Sequence, residues 1–268
     1  MTGAIGVFDS GLGGLTAVKE LVKILPNEDI VYFGDTSRVP YGTRSRETII
    51  SYAKQDLNFL STFNIKAALV ACGTISAVAL DTLKDNYSFD IIGVIDSAAN
   101  AAAKATANKK IGIIGTNATI KSGAYEKALK NICPDIKTIA VPCPLFVPLV
   151  ENGHIKDGDP ITALAVKHYI QQIVDFGADT IILGCTHYPL IAKAIGEFVG
   201  DSVSLINPGK EAAKTLKQKL TEGGLLSQNG GKHEYYVSDS IENFEDLGSL
   251  FMKQSISGEV HKVDIEKY

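Results

Sequence analysis

Two short stretches constrain this chain more than anything else in it, because they read as copies of one another. Val70-Ala71-Cys72-Gly73-Thr74 and Leu183-Gly184-Cys185-Thr186-His187 each run from an apolar segment into a cysteine followed by small and hydroxyl residues. The pattern predicts both cysteines at the carboxyl ends of β-strands, where open parallel sheets place ligands. A single cysteine there is usually a small buried hydrophobe. Two in matching contexts point to chemistry.

The surrounding order repeats as well. Ile5–Phe8 reads as a strand ending in the turn Asp9-Ser10-Gly11-Leu12-Gly13-Gly14, and Leu15, Val18, Leu21, Val22 and Leu25 then recur at helical spacing. A strand over Ile30–Phe33 feeds a polar loop at Gly34–Thr43, Ser45 opens a helix to Leu60, and Ala67–Ala71 leads to Cys72. A helix is expected over Thr74–Leu83. The second series runs through a strand at Ile91–Ile95, an alanine-rich segment at Ser97–Ala107 and a strand at Lys110–Ile114. The turn Gly115-Thr116-Asn117-Ala118-Thr119 echoes the one at Asp9. A helix to Asn131, a strand near Ile139, a proline-rich loop at Pro142–Pro148, a helix over Pro160–Phe176 and a strand at Thr180–Leu183 lead to Cys185, with a further helix following Cys185-Thr186. Further elements are expected at Val203–Ile206, Gly209–Leu220, Glu234–Val237 and Ile241–Phe251.

Strands alternating with helices imply parallel sheets covered on both faces. The expected fold is therefore α/β: two similar parallel-sheet lobes related by a pseudo-twofold, with the active site in the cleft between them. The lobe boundaries are set at 1–94 plus 208–268 for the first and 95–207 for the second.

At 268 residues, 45% of them hydrophobic and with a net charge of −4, the chain can bury a substantial core and lacks the basic footprint of a nucleic-acid binder. No apolar run has the length of a membrane span, and the N-terminal residues carry no signal-peptide pattern, so a cytoplasmic location is expected. The four cysteines form no C-x-x-C pair, and no His/Cys/Asp cluster has zinc-ligand spacing. Free thiols, no metal and a small-molecule partner follow as expectations, and Cys133 and Cys143 read as structural.

A thiol becomes a useful base only when its pKa is brought toward neutrality, and a helix N-terminus favours the thiolate. Both cysteines are expected to gain from such a helix start, whose N–H groups could also hold a carboxylate. The Asp9–Gly14 turn admits three readings. It could cradle a phosphate, although the nucleotide-loop spacing is absent; it could place a carboxylate beside an ammonium or an acid–base residue; or it could be an Asx turn capping a helix. His187, two residues after Cys185, is either a general acid–base group or a structural histidine. Arg38, Tyr41 and Arg44, in or beside a polar loop, are either site residues or a solvated surface, Tyr41-Gly42 gaining weight only from its strand-end position, and Glu151 alone carries little signal.

Taken together, Asp9-Ser10-Gly11-Leu12-Gly13-Gly14-Leu15-Thr16, Gly34-Asp35-Thr36 with Arg38-Val39-Pro40-Tyr41-Gly42, Ala71-Cys72, Leu149-Val150-Glu151 with Gly153, and Gly184-Cys185-Thr186-His187-Tyr188-Pro189-Leu190 resemble the glutamate racemase family, in the family's order and over most of the chain. The resemblance implies an isomerase that interconverts L- and D-glutamate without pyridoxal phosphate or any other cofactor and supplies D-glutamate for peptidoglycan. It implies Cys72, Cys185, Asp9 and His187 as catalytic residues. Cys72 would act on D-glutamate with help from Asp9, and Cys185 on L-glutamate with help from His187. The substrate-binding set it implies is Asp9, Ser10, Tyr41, Gly42, Gly73, Thr74, Thr186, His187 and Glu151. A homodimer is implied as well, with no interface legible in the sequence.

Two positions depart from the family pattern. Gly73 stands where the family has Asn, removing an amide that would contact substrate, and Asn207-Pro208 stands where many relatives carry Asp-Ser. Gly73 motivates one alternative, a racemase of the same superfamily acting on aspartate or another carbon acid. The two-lobed cleft and the glycine-rich first turn motivate a second, a non-catalytic small-molecule binding protein.

Overall fold

The central strands of this chain, such as Ile30–Gly34 and Thr180–Leu183, are continuous buried runs instead of alternating ones, as expected where both faces of a parallel strand are covered. The computed structural model, which describes residues 3–256 and 259–268, arranges them in two all-parallel sheets. The chain opens with β1 (Ala4–Asp9), α1 (Leu15–Ile24), β2 (Ile30–Gly34), α2 (Arg46–Leu60), β3 (Ile65–Val70), α3 (Gly73–Val78), α4 (Leu80–Leu83) and β4 (Asp90–Gly93). It continues with α5 (Val94–Ala105), β5 (Lys110–Gly115), α6 (Asn117–Ser122), α7 (Ala124–Ile132), β6 (Lys137–Pro142), α8 (Phe146–Glu151), α9 (Pro160–Phe176), β7 (Thr180–Leu183), α10 (Ala192–Val199) and β8 (Ser204–Ile206). It closes with α11 (Pro208–Glu222), β9 (His233–Val237), α12 (Ile241–Met252) and β10 (Val260–Lys262).

The first sheet has the order β10-β9-β2-β1-β3-β4 and the second β6-β5-β7-β8. Each therefore contains the same four-strand unit, with the second strand on one side of the first and the third and fourth on the other. The third strand of each unit, β3 or β7, hands the chain to a cysteine turn. The repeat inferred from motif order is thus also a repeat of topology. One hydrophobic cluster runs through both lobes, joining Ile5, Leu15 and Tyr32 to Phe146, Val166 and Tyr188, so the cleft has firm walls.

The element boundaries depart from the sequence reading at identifiable places. The expected helix over Thr74–Leu83 breaks at Ala79 into α3 and α4, and the strand expected to reach Ile95 stops at Gly93, where α5 begins. The helix expected to end at Asn131 is divided at Gly123, whose φ of 66° lies in the left-handed region. The Gly115–Thr119 segment is a helix start, with Thr116 capping α6, and not a second open turn. The loop expected at Pro142–Pro148 gives way to α8 from Phe146. The helix expected to follow Cys185-Thr186 is α10, which starts only at Ala192, and β10 was not expected. Among the described residues no helix is long and apolar enough to cross a membrane.

Candidate active site

Asp9 ends β1 and is fully buried. Its Oδ2 accepts hydrogen bonds from the backbone N–H groups of Gly11 (3.1 Å) and Gly14 (3.0 Å). The Asx turn foreseen as one of three readings is therefore present, and it aims the carboxylate inward. Glycine is required at Gly13 because a Cβ there would run into Thr186 and His187 of the other lobe. Across this contact Thr16 Oγ1 donates to the Thr186 carbonyl at 2.8 Å, and Thr186 Oγ1 lies 3.5 Å from Asp9 Oδ1.

Both cysteine turns open onto one cavity of about 370 Å³, which also takes in Ser10, Tyr41, Gly42, Gly73, Thr74, Glu151, Thr186 and His187. This volume suits a small ligand. Every sequence-predicted site residue except Asp9 lines it, and Asp9 lies immediately behind, touching Thr186.

The two thiols have different surroundings. Cys72 caps α3, is 5% exposed and points its Sγ at Ser10 Oγ, 3.6 Å away. Burial, reinforced by the nearby charge of Asp9, pushes its pKa up to about 12, although the Ile75 N–H and Ser10 act in the opposite direction. The expected thiolate-favouring effect of the helix start exists but is outweighed by desolvation. Burial also raises the Asp9 carboxyl above the usual carboxylate range, against the attraction of His187 and the two backbone N–H bonds.

No α-helix begins at Cys185-Thr186, contrary to expectation. A single 3₁₀ turn at Tyr188–Ile191, with Pro189 in its first turn, intervenes before α10. Cys185 instead has a histidine partner. Its Sγ lies 3.8 Å from His187 Nδ1, and His187 Nε2 lies 2.9 Å from Glu151 Oε1 at the end of α8. Burial alone would lower the His187 pKa, yet the hydrogen bonds and charges of Cys185 and Glu151 bring it up to about 10. The folded protein thus holds a protonated imidazole beside the Cys185 sulfur.

A folded-state pKa above the ordinary His value of 6.5 means that the stabilisation from this pairing is fully present below pH 6.5 and is lost as pH rises through about 10. The melting temperature should fall between pH 7 and 10, and the fall should be smaller in Glu151→Gln. Scanning calorimetry of both proteins over that range checks this; parallel curves would contradict it.

Three hydroxyls bridge the lobes. Thr74 Oγ1 lies 2.9 Å from Thr116 Oγ1 and 3.4 Å from Thr119 Oγ1, and the last two are 3.0 Å apart. The sequence reading did not select Thr116 or Thr119, although the echo of the first turn in Gly115–Thr119 was the available signal. Cys143, read as structural, also borders the cavity, and burial raises its pKa. Arg38, for which a solvated surface was one of two readings, is only 8% exposed, and Tyr41 gives its hydroxyl to Asp35 instead of the cavity.

Gly73 meets the other lobe directly, because a Cβ on it would run into the Gly184 carbonyl oxygen. The family's Asn therefore does not fit this arrangement without displacing a backbone. Gly73→Asn should raise KM and lower the melting temperature instead of improving the enzyme; a gain in kcat/KM would contradict this account. Among the described residues no group of three or more His, Cys, Asp or Glu is placed to hold a metal ion.

The Asp/Glu/hydantoin racemase family profile matches residues 5–216. A glutamate racemase of Geobacter metallireducens is 43% identical over 265 residues, covering 98% of this chain and 97% of the relative. Among solved structures, a glutamate racemase isoform of Bacillus anthracis superposes with a TM-score of 0.94 at 39% identity, covering 98% of this chain and 97% of that one. A Francisella tularensis glutamate racemase in complex with D-glutamate gives a TM-score of 0.92 at 39% identity, covering 100% and 99% of the two chains.

Proposed function

The chain belongs to the Asp/Glu/hydantoin racemase family, and from that premise we propose that it interconverts L- and D-glutamate by proton transfer between two thiols. One observation carries the reading. A single small cavity is bordered by Cys72 from one lobe, beside a carboxylate, and by Cys185 from the other, beside a histidine.

Inverting a stereocentre through a carbanion needs proton-transfer groups on opposite faces of the carbon. Cys185, as thiolate next to the His187 imidazolium, takes the α-proton of L-glutamate. The electron pair left on Cα spreads into the α-carboxylate. Cys72, whose raised pKa keeps it a thiol, delivers its proton to the opposite face and is left as thiolate. The reverse reaction exchanges the roles. Asp9 and His187 return the two sulfurs to their starting protonation through solvent. The hydroxyls of Thr74 and Thr116, backed by Thr119, and the backbone N–H groups beside them supply fixed donors for the charge that develops on the carboxylate.

The lobe division at 1–94 with 208–268 and at 95–207 belongs to the same proposal, supported by each sheet drawing all its strands from one of these sets. So do a cytoplasmic homodimer and a role in supplying D-glutamate to peptidoglycan, for which the family resemblance is the support. The test of the activity is loss of optical rotation from L-glutamate without added pyridoxal phosphate, with L-aspartate run in parallel. Turnover of glutamate is expected. Turnover of aspartate alone would transfer the reading to another carbon acid, and silence on both would end it.

A further inference from the structure

The segment Val39–Thr43 forms one wall of the cavity, and its anchorage is unusual for a surface loop. Arg38, just before it, places Nε 2.6 Å from Asp35 Oδ2, Nη1 2.5 Å from Gln55 Oε1 and Nη2 3.3 Å from Asp56 Oδ1. Its guanidinium lies 4.1 Å from the centroid of the Tyr52 ring. Tyr41, within the segment, donates its hydroxyl to Asp35 and lies 3.4 Å from Asp56 Oδ2. Asp35 and Asp56 are both fully buried, and Ser238, just after β9, donates to Asp35 at 2.8 Å. The residues on either side of Val39-Pro40 are thus fastened to the same two carboxylates. Beyond the second anchor, Gly42 approaches the other lobe so closely that a Cβ on it would stand 2.9 Å from Thr116.

We propose that Arg38 is a positioning residue for substrate binding, its guanidinium fork clamping Val39–Thr43 so that this wall of the cavity is in place before the ligand arrives. The inference rests on reading the cavity as the substrate site. The two carboxylates have unequal roles. Burial and the neighbouring Asp35 push the Asp56 carboxyl well above the usual carboxylate range, while Asp35 makes the 2.6 Å ion pair with the fork and Asp56 the looser 3.3 Å one. Replacing Asp56 by its isosteric amide keeps an acceptor oxygen for the fork at nearly unchanged shape. Replacing Arg38 by lysine keeps the charge but loses the planar fork and the stacking on Tyr52. A wall that is ordered only on binding charges its ordering to affinity, not to the proton transfers.

The experiment is steady-state kinetics in both directions for wild type, Arg38→Lys, Gln55→Met and Asp56→Asn, with circular dichroism melts to confirm folding. Arg38→Lys should raise KM about tenfold or more with kcat within about threefold. Gln55→Met, which loosens one tooth of the fork without unpairing a charge, should raise KM by a smaller factor. Asp56→Asn, which weakens the looser contact of the fork, should raise KM by less than Arg38→Lys does, with kcat within about threefold. A wild-type KM in Arg38→Lys, or a fall in kcat at unchanged KM, overturns the proposal. If Arg38→Lys does not fold, Gln55→Met decides, an unchanged KM being the contrary result. A wild type that racemises neither glutamate nor aspartate would overturn the functional reading instead, so the two failures are distinguishable.

Discussion

Replacing Cys72 or Cys185 by serine should lower kcat/KM by about 10²–10⁴-fold, the range in which a positioned acid–base group contributes. A serine hydroxyl fills the same space but is far too weak an acid to cycle between base and donor near neutral pH. Either substitution should be equally damaging in both directions. Enantiomers in water have equal free energy, so the equilibrium constant is one and the two kcat/KM values must fall together whichever thiol is lost. Asymmetry should appear instead in the primary isotope effect with substrate deuterated at Cα. Weakening the Cys185 side makes proton abstraction from L-glutamate more rate-limiting, raising the isotope effect for L→D and lowering it for D→L. Retention of more than about a tenth of wild-type activity by either variant would contradict the assignment of one thiol to each face.

Asp9→Asn should divide activity from stability. Asp9 is fully buried and its carboxyl titrates above its ordinary range. Because its folded-state pKa is raised, the folded protein is favoured as pH falls toward that range, and at neutral pH burying this carboxyl costs the fold stability. The amide keeps an oxygen for the Gly11 and Gly14 N–H groups and cannot ionise, so the melting temperature should rise, by about 2–4 °C for each kcal/mol recovered. Activity should fall by about 10²-fold, because Cys72 loses the neighbour that carries its proton. A variant both less stable and fully active would show that Asp9 is only a turn residue. The expected combination is the usual trade between a strained site and a relaxed fold.

Much of this architecture was legible because parallel strands buried on both faces leave unbroken apolar runs, and because the Asp9 turn and the two cysteine turns are punctuated by glycine and small residues. What the sequence hid is mostly tertiary. The break at Ala79 between α3 and α4 has no glycine or proline to announce it. The partners of His187 lie far apart in sequence, and Glu151, an ordinary residue on paper, acquires meaning only when α8 carries it to 2.9 Å from the imidazole. Local helix effects were a poor guide to the thiols, since the burial that sets the Cys72 pKa is a property of two lobes meeting. Nothing in the sequence marks Arg38 as buried, because solitary charges are usually exposed, and only the fold brings it to Asp35 and Asp56. Gly73 was read as a missing amide, whereas the Gly184 carbonyl leaves no room for a side chain at that position.

The most direct test of the two-thiol account is the fate of the α-proton during a brief reaction of L-glutamate in D₂O, followed by NMR before much product has formed. With a separate thiol on each face, D-glutamate should carry deuterium at Cα while the remaining L-glutamate keeps its proton, because the donor thiol has exchanged with solvent and the abstracted proton sits on the other sulfur. Deuterium entering the L-glutamate pool as fast as the D-glutamate pool, or product that retains the substrate's own proton, would mean that one group serves both faces, and the account would be wrong.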